Sequence, residues 1–211
     1  MIELAHLERA CLALALALAP GCYVFEATPK YSEDESFGPE RFPSLALLVE
    51  DVSRMPSAGA KESVQQEFEA TLLAKGYSLA SRGAELERLL SEQATQLSDL
   101  SAGQVIELGK LGNAHAMVMV KILEFRTDAL AEQEADEHGR TRPVTRYTTA
   151  AKLEAALFDV ETGRKLWTAK FEAREDNPAR DRRPDSRVLD RVAHAVAATC
   201  SPRPWWWFLW H

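Results

Sequence analysis

The sequence predicts a single α/β (α+β) domain in which helices pack against one mixed sheet, in the order β-α-β-α-α-β-β-β-α. Three observations carry this. Residues 77–126 read as strand, helix, helix and strand, running from Tyr77 through Leu86, Leu89 and Leu90 to the apolar stretch 116–120. An apolar run at 44–49 followed by a helical period supplies a preceding βα unit. Two alternating segments around Asp159-Val160-Glu161-Thr162-Gly163-Arg164 form a hairpin, because that linker has turn chemistry with a glycine placed for a left-handed conformation.

The elements follow in order. Residues 44–49 lie between Pro43 and the polar Glu50-Asp51 and predict a short buried strand. Ser57 is the expected cap of the next helix. Val64, Phe68 and Leu72 fall on one face of it, and Gly76 ends it. Residues 77–81 form a second strand, parallel to the first because a helical crossover joins them. Ser81 caps the Leu86/Leu89/Leu90 helix, and Ser101 with Gln104 forms a capping box before Val105, Leu108 and Leu111. A strand over 117–125 begins continuously apolar and then alternates, with a bulge expected near Ile122-Leu123. Ala151, Leu153, Ala155 and Leu157, then Trp167, Ala169, Phe171 and Ala173, alternate as the hairpin strands. Residues 128–143 and 177–184 are charged and unpatterned, and are expected as solvated loops. Asp185 caps a last helix bearing Val188, Leu189, Val192 and Val196.

A content of 46% hydrophobic and 27% charged residues is that of an ordinary globular chain. A formal net charge of −7, with no basic patch, argues against nucleic acid as a partner. Residues 10–19 form an Ala/Leu run the length of a secretory signal core, shorter than the roughly 20 residues a spanning helix needs. Ala19-Pro20-Gly21-Cys22 resembles the lipobox of bacterial lipoproteins, in which the cysteine is acylated. It departs in having Ala19 where Leu is usual and an acidic start, Glu3 and Glu8 beside Arg9. The alternatives are a plain signal peptide or an uncleaved apolar helix. On the lipoprotein reading Cys11 leaves with the signal and Cys200 stands alone; without acylation a Cys22–Cys200 bridge is the alternative. The expected organisation is a signal peptide at 1–21, a lipidated N-terminus and flexible tether at 22–43, the α/β domain at 44–200 and a tail at 201–211.

The order of elements, with these residues, resembles the curli-secretion (CsgG-like) lipoprotein family. That family shares its α/β domain with the N-terminal domain of the Tol-system propeller protein and with lipoprotein activators of penicillin-binding proteins. Three segments carry the likeness. Residues 79–93 end in Leu89-Leu90-Ser91-Glu92-Gln93; residues 106–120 hold Leu108-Gly109-Lys110 before a small-residue apolar strand; residues 157–167 hold the Asp159-to-Gly163 turn and Leu166-Trp167. The resemblance implies an envelope lipoprotein, and Tyr23 in place of an Asp after Cys22 implies outer-membrane sorting. Curli-type channels insert two transmembrane hairpins per subunit, and no spare strands are expected here, so a pore role is not predicted.

No metalloprotease, redox, nucleophile-elbow or phosphate-loop motif occurs, and no catalytic residue, cofactor or metal is expected beyond covalent lipid on Cys22. His115 reads as structural. Glu132, Glu134, Asp136, Glu137 and His138 read as a solvated acidic loop in preference to a cation site. Arg180, Arg182 and Arg183 read as a mixed-charge loop. The tail holds Trp205, Trp206, Trp207, Phe208, Leu209 and Trp210, four of the five tryptophans. It is too short to span a bilayer but suited to the headgroup region or to a partner's groove, with docking on its own domain as the alternative. The function expected from the sequence is a non-enzymatic outer-membrane lipoprotein serving as a protein-interaction module in envelope assembly or secretion. A ring-shaped export complex with a homo-oligomeric subunit, or activation of a cell-wall synthase, are the alternatives.

Overall fold

A computed structural model describes residues 29–81, 88, 102–135, 139–177 and 183–203. The apolar run at 10–19 with Cys11 and Cys22, the helix expected around Leu86, Leu89 and Leu90, Ser101, residues 136–138, Arg180, Arg182 and the tryptophan-rich residues 205–210 lie outside these residues.

The continuous apolar runs become the middle of the sheet because only there is a strand covered on both faces. The described strands β1 (Lys30–Glu33), β2 (Ser44–Asp51), β3 (Ser78–Ser81), β4 (Ala116–Ala135), β5 (Thr141–Asp159) and β6 (Lys165–Asp176) form one sheet of order β1-β6-β5-β4-β2-β3, in which β2 and β4 pair in parallel. β3 (Ser78–Ser81) lies parallel to β2, as the crossover rule requires. β5 (Thr141–Asp159) and β6 (Lys165–Asp176) are the antiparallel hairpin arms about the Asp159 turn. The strand bulge falls between Ile122 and Glu124, where the change of pattern predicts it.

One face of the sheet carries the main core. α1 (Ala60–Ala74) presents Val64, Phe68 and Leu72, and α3 (Ser186–Ala198) presents Val188, Leu189, Val192 and Val196. These close over Leu45, Leu47, Val118, Val120, Leu153, Leu157 and Trp167, all buried. Each such side chain contributes roughly 1.5–3 kcal/mol by leaving water. On the opposite face α2 (Ala102–Leu111) covers only the end where β2 and β4 start, over Ala46, Leu48, Met117, Met119 and Val160. Beyond it that face is a lattice of charges, with ion pairs from Lys152 to Glu172 (2.7 Å) and from Lys170 to Glu154 (3.7 Å).

Three expectations are corrected. Residues 30–33, placed within the tether, form β1 (Lys30–Glu33) on the edge of β6. They carry no apolar alternation because that edge faces water on both sides; all four are exposed. The cap of α1 is Gly59, at φ 84° and with no side-chain bond, not Ser57, whose carbonyl instead accepts from Ala60 N (3.1 Å). Residues 128–143 are not a solvated loop: β4 continues to Ala135 and β5 begins at Thr141, so the segment is the outer half of a long hairpin. The Asp185 cap of α3 is observed, its carboxylate accepting from Arg187 N (3.1 Å).

Candidate functional site

The two motifs at 106–120 and 157–167 meet in space. Gly109 packs so closely on the hairpin turn that a Cβ there would collide with the Val160 side chain. Glycine is thus required for α2 to lie on the sheet. The turn is held by Asp159, which accepts from Glu161 N (2.8 Å) and Thr162 Oγ1 (2.7 Å), while Gly163 takes φ 69°. Both motifs are therefore explained by packing and turn geometry, not by chemistry.

Among the described residues the groups able to do chemistry are dispersed. His115 is exposed, with Nδ1 2.7 Å from Ser44 Oγ, and shares a shallow cleft with Asp159 and Glu161. Asp159 is committed to its turn, so no carboxylate-oriented Ser-His pair results. His194 pairs with Glu67 (2.8 Å) across the outer surface of α3 and α1. Cys200 is a buried free thiol beside the Tyr77 hydroxyl (3.9 Å). Burial pushes its pKa up to about 11, which leaves it protonated and inert, and burial likewise pushes the Tyr77 hydroxyl well above its ordinary value. Glu132 and Glu134 do not gather around a cation; each faces an arginine, Arg146 (2.8 Å) and Arg142 (3.1 Å). Among the described residues no cluster of His, Cys, Asp or Glu is arranged to hold a metal, and no helix is long and apolar enough to cross a membrane.

What the chain does build is an arm. β2 accompanies β4 only to Ile122, and β6 accompanies β5 only from Thr148 inward. The pairs from Ala129 opposite Tyr147 to Ala135 opposite Thr141 therefore form a bare two-stranded ribbon, about 20–25 Å long. Its faces differ. Glu132, Glu134, Arg142 and Arg146 share one side with Leu130 and Val144. Ala129, Ala131, Gln133 and Ala135 share the other with Thr141, Pro143, Thr145 and Tyr147. Neither side is the unbroken apolar band that a lipid-crossing strand presents.

A free two-stranded hairpin is marginally stable in water, so the foot must hold the arm. Thr149 is fully buried there, and its hydroxyl accepts from Asp185 N (3.0 Å) at the start of α3. Asn177, also buried, donates from its backbone N to Tyr147 O (2.8 Å) and from Nδ2 to Arg183 O (2.7 Å).

The same ladder shows which edge is open. Because Asn177 N bonds Tyr147 O, the odd-numbered residues of β5 turn their backbone groups outward, away from β4. Pro143 lies among them and removes a donor from the middle of that edge, a device that blunts strand pairing. β4 has no such block. By the same alternation Thr127, Ala129, Ala131, Gln133 and Ala135 direct N–H and C=O outward along an edge that no described strand covers above Ile122. At the foot of this edge lies a cleft of about 500 Å³ lined by Ser53, Arg54, Met55, Leu123, Glu124, Phe125 and Arg126. Met55 is 71% exposed beside it. An open edge with an apolar notch at its base is the geometry by which a sheet takes up an added strand. The sequence hides this site because residues 128–143 carry the charge and lack the periodicity of a strand, and only the Thr/Val/Tyr content of 141–149 points to extended structure there.

At the opposite end of the sheet the chain is latched before it enters the tail. Lys75 Nζ donates to the carbonyls of Ala198 (2.9 Å) and Cys200 (2.6 Å), and Tyr77 Oη to that of Ser201 (2.7 Å). Glu33 accepts from Ser201 N and Oγ, and Arg203 N donates to Lys75 O (2.9 Å). The sequence-predicted contact residues Trp205, Trp206, Trp207, Phe208, Leu209 and Trp210 follow this latch but lie outside the described residues, as does Cys22.

No family model matches the chain, and no curated protein does. Among solved structures it is similar to the PelC dodecamer of Paraburkholderia phytofirmans, at 14% identity over 84% of this chain and 99% of that one, with a TM-score of 0.49. Lipoprotein GNA1162 of Neisseria meningitidis matches at 16% identity over 74% and 96%, TM-score 0.47. The LpoB C-terminal domain of Escherichia coli matches at 16% over 63% and 84%, TM-score 0.38.

Proposed function

We propose that this chain is a non-enzymatic lipoprotein that works as a protein-interaction module in envelope assembly or secretion, anchored through Cys22 at the periplasmic face of the outer membrane. The open β4 edge supports this reading most strongly: a partner strand laid along residues 124–135 would satisfy outward backbone groups that no described strand pairs. The apolar run at 10–19 and the lipobox-like Gly21-Cys22 support export and anchoring. The three motifs support kinship with the curli-secretion lipoproteins. A cell-wall synthase is one class of partner that the reading admits.

A ring-shaped export complex is the second reading, and the arm is the observation that favours it, since the spare hairpin expected to be missing is present. Pairing arm to arm would use the outer edge of β5 as the other half, and Pro143 interrupts that edge. This counts against head-to-tail pairing of copies in a ring.

The test is a photoreactive amino acid placed at Ala129 or Gln133 in the exported chain in living cells. The reading predicts one discrete heavier adduct whose second component is a different envelope protein. An adduct with a second copy supports the ring, and the absence of any adduct from both positions contradicts a docking edge. Metabolic labelling with a palmitate analogue tests the anchor, and label that persists in Cys22→Ala contradicts it.

A further inference from the structure

The charged face of the sheet follows a rule of sign. Glu50 of β2, Lys121 of β4, Glu154 of β5 and Lys170 of β6 stand opposite one another in four neighbouring strands and alternate in charge. Glu124, Lys152 and Glu172 make a second such row across β4, β5 and β6, and the Lys152–Glu172 ion pair (2.7 Å) lies within it. Opposite charges in facing positions stabilise a ladder, and like charges weaken it.

The first row is flanked on both sides of β4, because β2 still runs beside it at Glu50. Above Ile122 the rows end at β4 among the described strands. There β4 carries Glu124, Arg126, Asp128, Leu130, Glu132 and Glu134 on this face, four carboxylates to one guanidinium. Arg126 is shared between Glu124 (2.6 Å) and Asp128. Glu132 and Glu134 are met from the β5 flank, Arg146 and Arg142 each contacting one oxygen, Oε2. A carboxylate has acceptor sites enough for a cation on either flank.

The β5 flank also shows what suits this row. Arg146, Val144 and Arg142 stand opposite Leu130, Glu132 and Glu134, a spacing of cation, apolar, cation at alternate positions. We propose that the strand added at the β4 edge carries the same pattern, basic side chains at alternate positions about an apolar one, and that Asp128, Glu132 and Glu134 select it. This deepens the docking-edge reading and rests on it. On its other face the added strand would run beside Thr127, Ala129, Ala131 and Gln133, which carry no charge, so uncharged residues belong between the cations. A net charge of −7 draws a basic segment toward the chain, and an acidic segment would meet like charges along the row. The β5 strand of a second copy has the basic pattern, but Pro143 removes a donor from the edge it would offer.

The probe is a fluorescent synthetic copy of residues 140–149 carrying Pro143→Thr, about one strand long, titrated into the full chain purified in detergent. Anisotropy should show saturable binding. The same peptide with Arg140→Glu, Arg142→Glu and Arg146→Glu should bind about tenfold more weakly, as should the peptide that keeps Pro143. In the chain, Glu132→Gln with Glu134→Gln should weaken binding about fivefold, and the loss should shrink in high salt. Glu154→Gln with Glu172→Gln, which removes the same charge from the same face away from the edge, should leave binding unchanged. Ala131→Pro should abolish it, which separates addition at the outer edge from exchange with the chain's own β5.

Equal binding of the basic and acidic peptides, both lost in Ala131→Pro, overturns the charge selection and leaves the docking edge standing. Binding of the basic peptide that survives Ala131→Pro overturns the proposal as charge adhesion elsewhere on the chain. Equal binding of the peptide that keeps Pro143 overturns strand addition by this pattern. Absence of peptide binding overturns the proposal as well, and the photoreactive adducts at Ala129 and Gln133 then decide the docking edge by themselves.

Discussion

The inner and outer halves of the β4–β5 hairpin share one ladder and differ in almost everything else. Near the turn at Asp159, Val118, Val120, Leu153 and Leu157 are buried under α1 and α3. Beyond Thr149 the same two strands carry Leu130, Glu132, Glu134, Arg142 and Arg146 in water, joined by exposed ion pairs worth at most about 1 kcal/mol each. The inner half is held by what it buries. The outer half is held by its foot, and the edge that no described strand pairs is open to another strand.

The largest effect expected from this contrast is in matched truncations. Leu153→Ala should lower unfolding free energy in urea by about 2–5 kcal/mol, and Leu130→Ala, at 51% exposure, by less than about 0.5 kcal/mol. Comparable losses would mean that the arm packs on the body. Gly109→Ala should cost about 1–3 kcal/mol through overpacking against Val160, despite alanine's better helix propensity. Thr149→Val leaves Asp185 N without its acceptor, at a cost of about 1–3 kcal/mol. It should also speed amide exchange along 129–135 and 141–147 more than in the core strands. Uniform change across both halves would deny that the foot controls the arm.

The inner half was legible and the outer half was not, for one physical reason. Burial on one face writes a period into a strand, as in Ala151, Leu153, Ala155 and Leu157, and burial on both faces writes a run, as in 116–120. Residues 128–135 are wet on both faces, and their Ala, Glu and Gln have weak strand preference, so they read as loop. β1 was hidden in the same way. The Asp159 turn and the Asp185 cap were readable because short-range hydrogen bonding selects those residue types. The open edge could not be read, since an edge exists only once its neighbours are placed. Cys22 and the tryptophan tail stand out in the sequence by residue type alone.

The smallest effect expected is with pH. The Arg187 guanidinium and backbone hold the Asp185 carboxyl below its usual range, and Lys152 does the same for Glu172. A carboxyl with a depressed folded pKa contributes fully above its unfolded value, near 4, and loses that contribution as pH falls through the folded value. Asp185→Ala should therefore cost about 0.5–2 kcal/mol at pH 7, and its gap to wild type should narrow below about pH 4. A gap that widens in acid would contradict this assignment of the cap.

The most direct test of the central claim is adduct yield from the photoreactive Gln133 position in Ala131→Pro. Ala131 directs its N–H outward from β4, so proline there removes a donor from the open edge and spares the β4–β5 ladder. The account predicts unfolding free energy within about 0.5 kcal/mol of wild type together with loss of the adduct. An undiminished adduct at unchanged stability would show that the β4 edge is not where the partner binds.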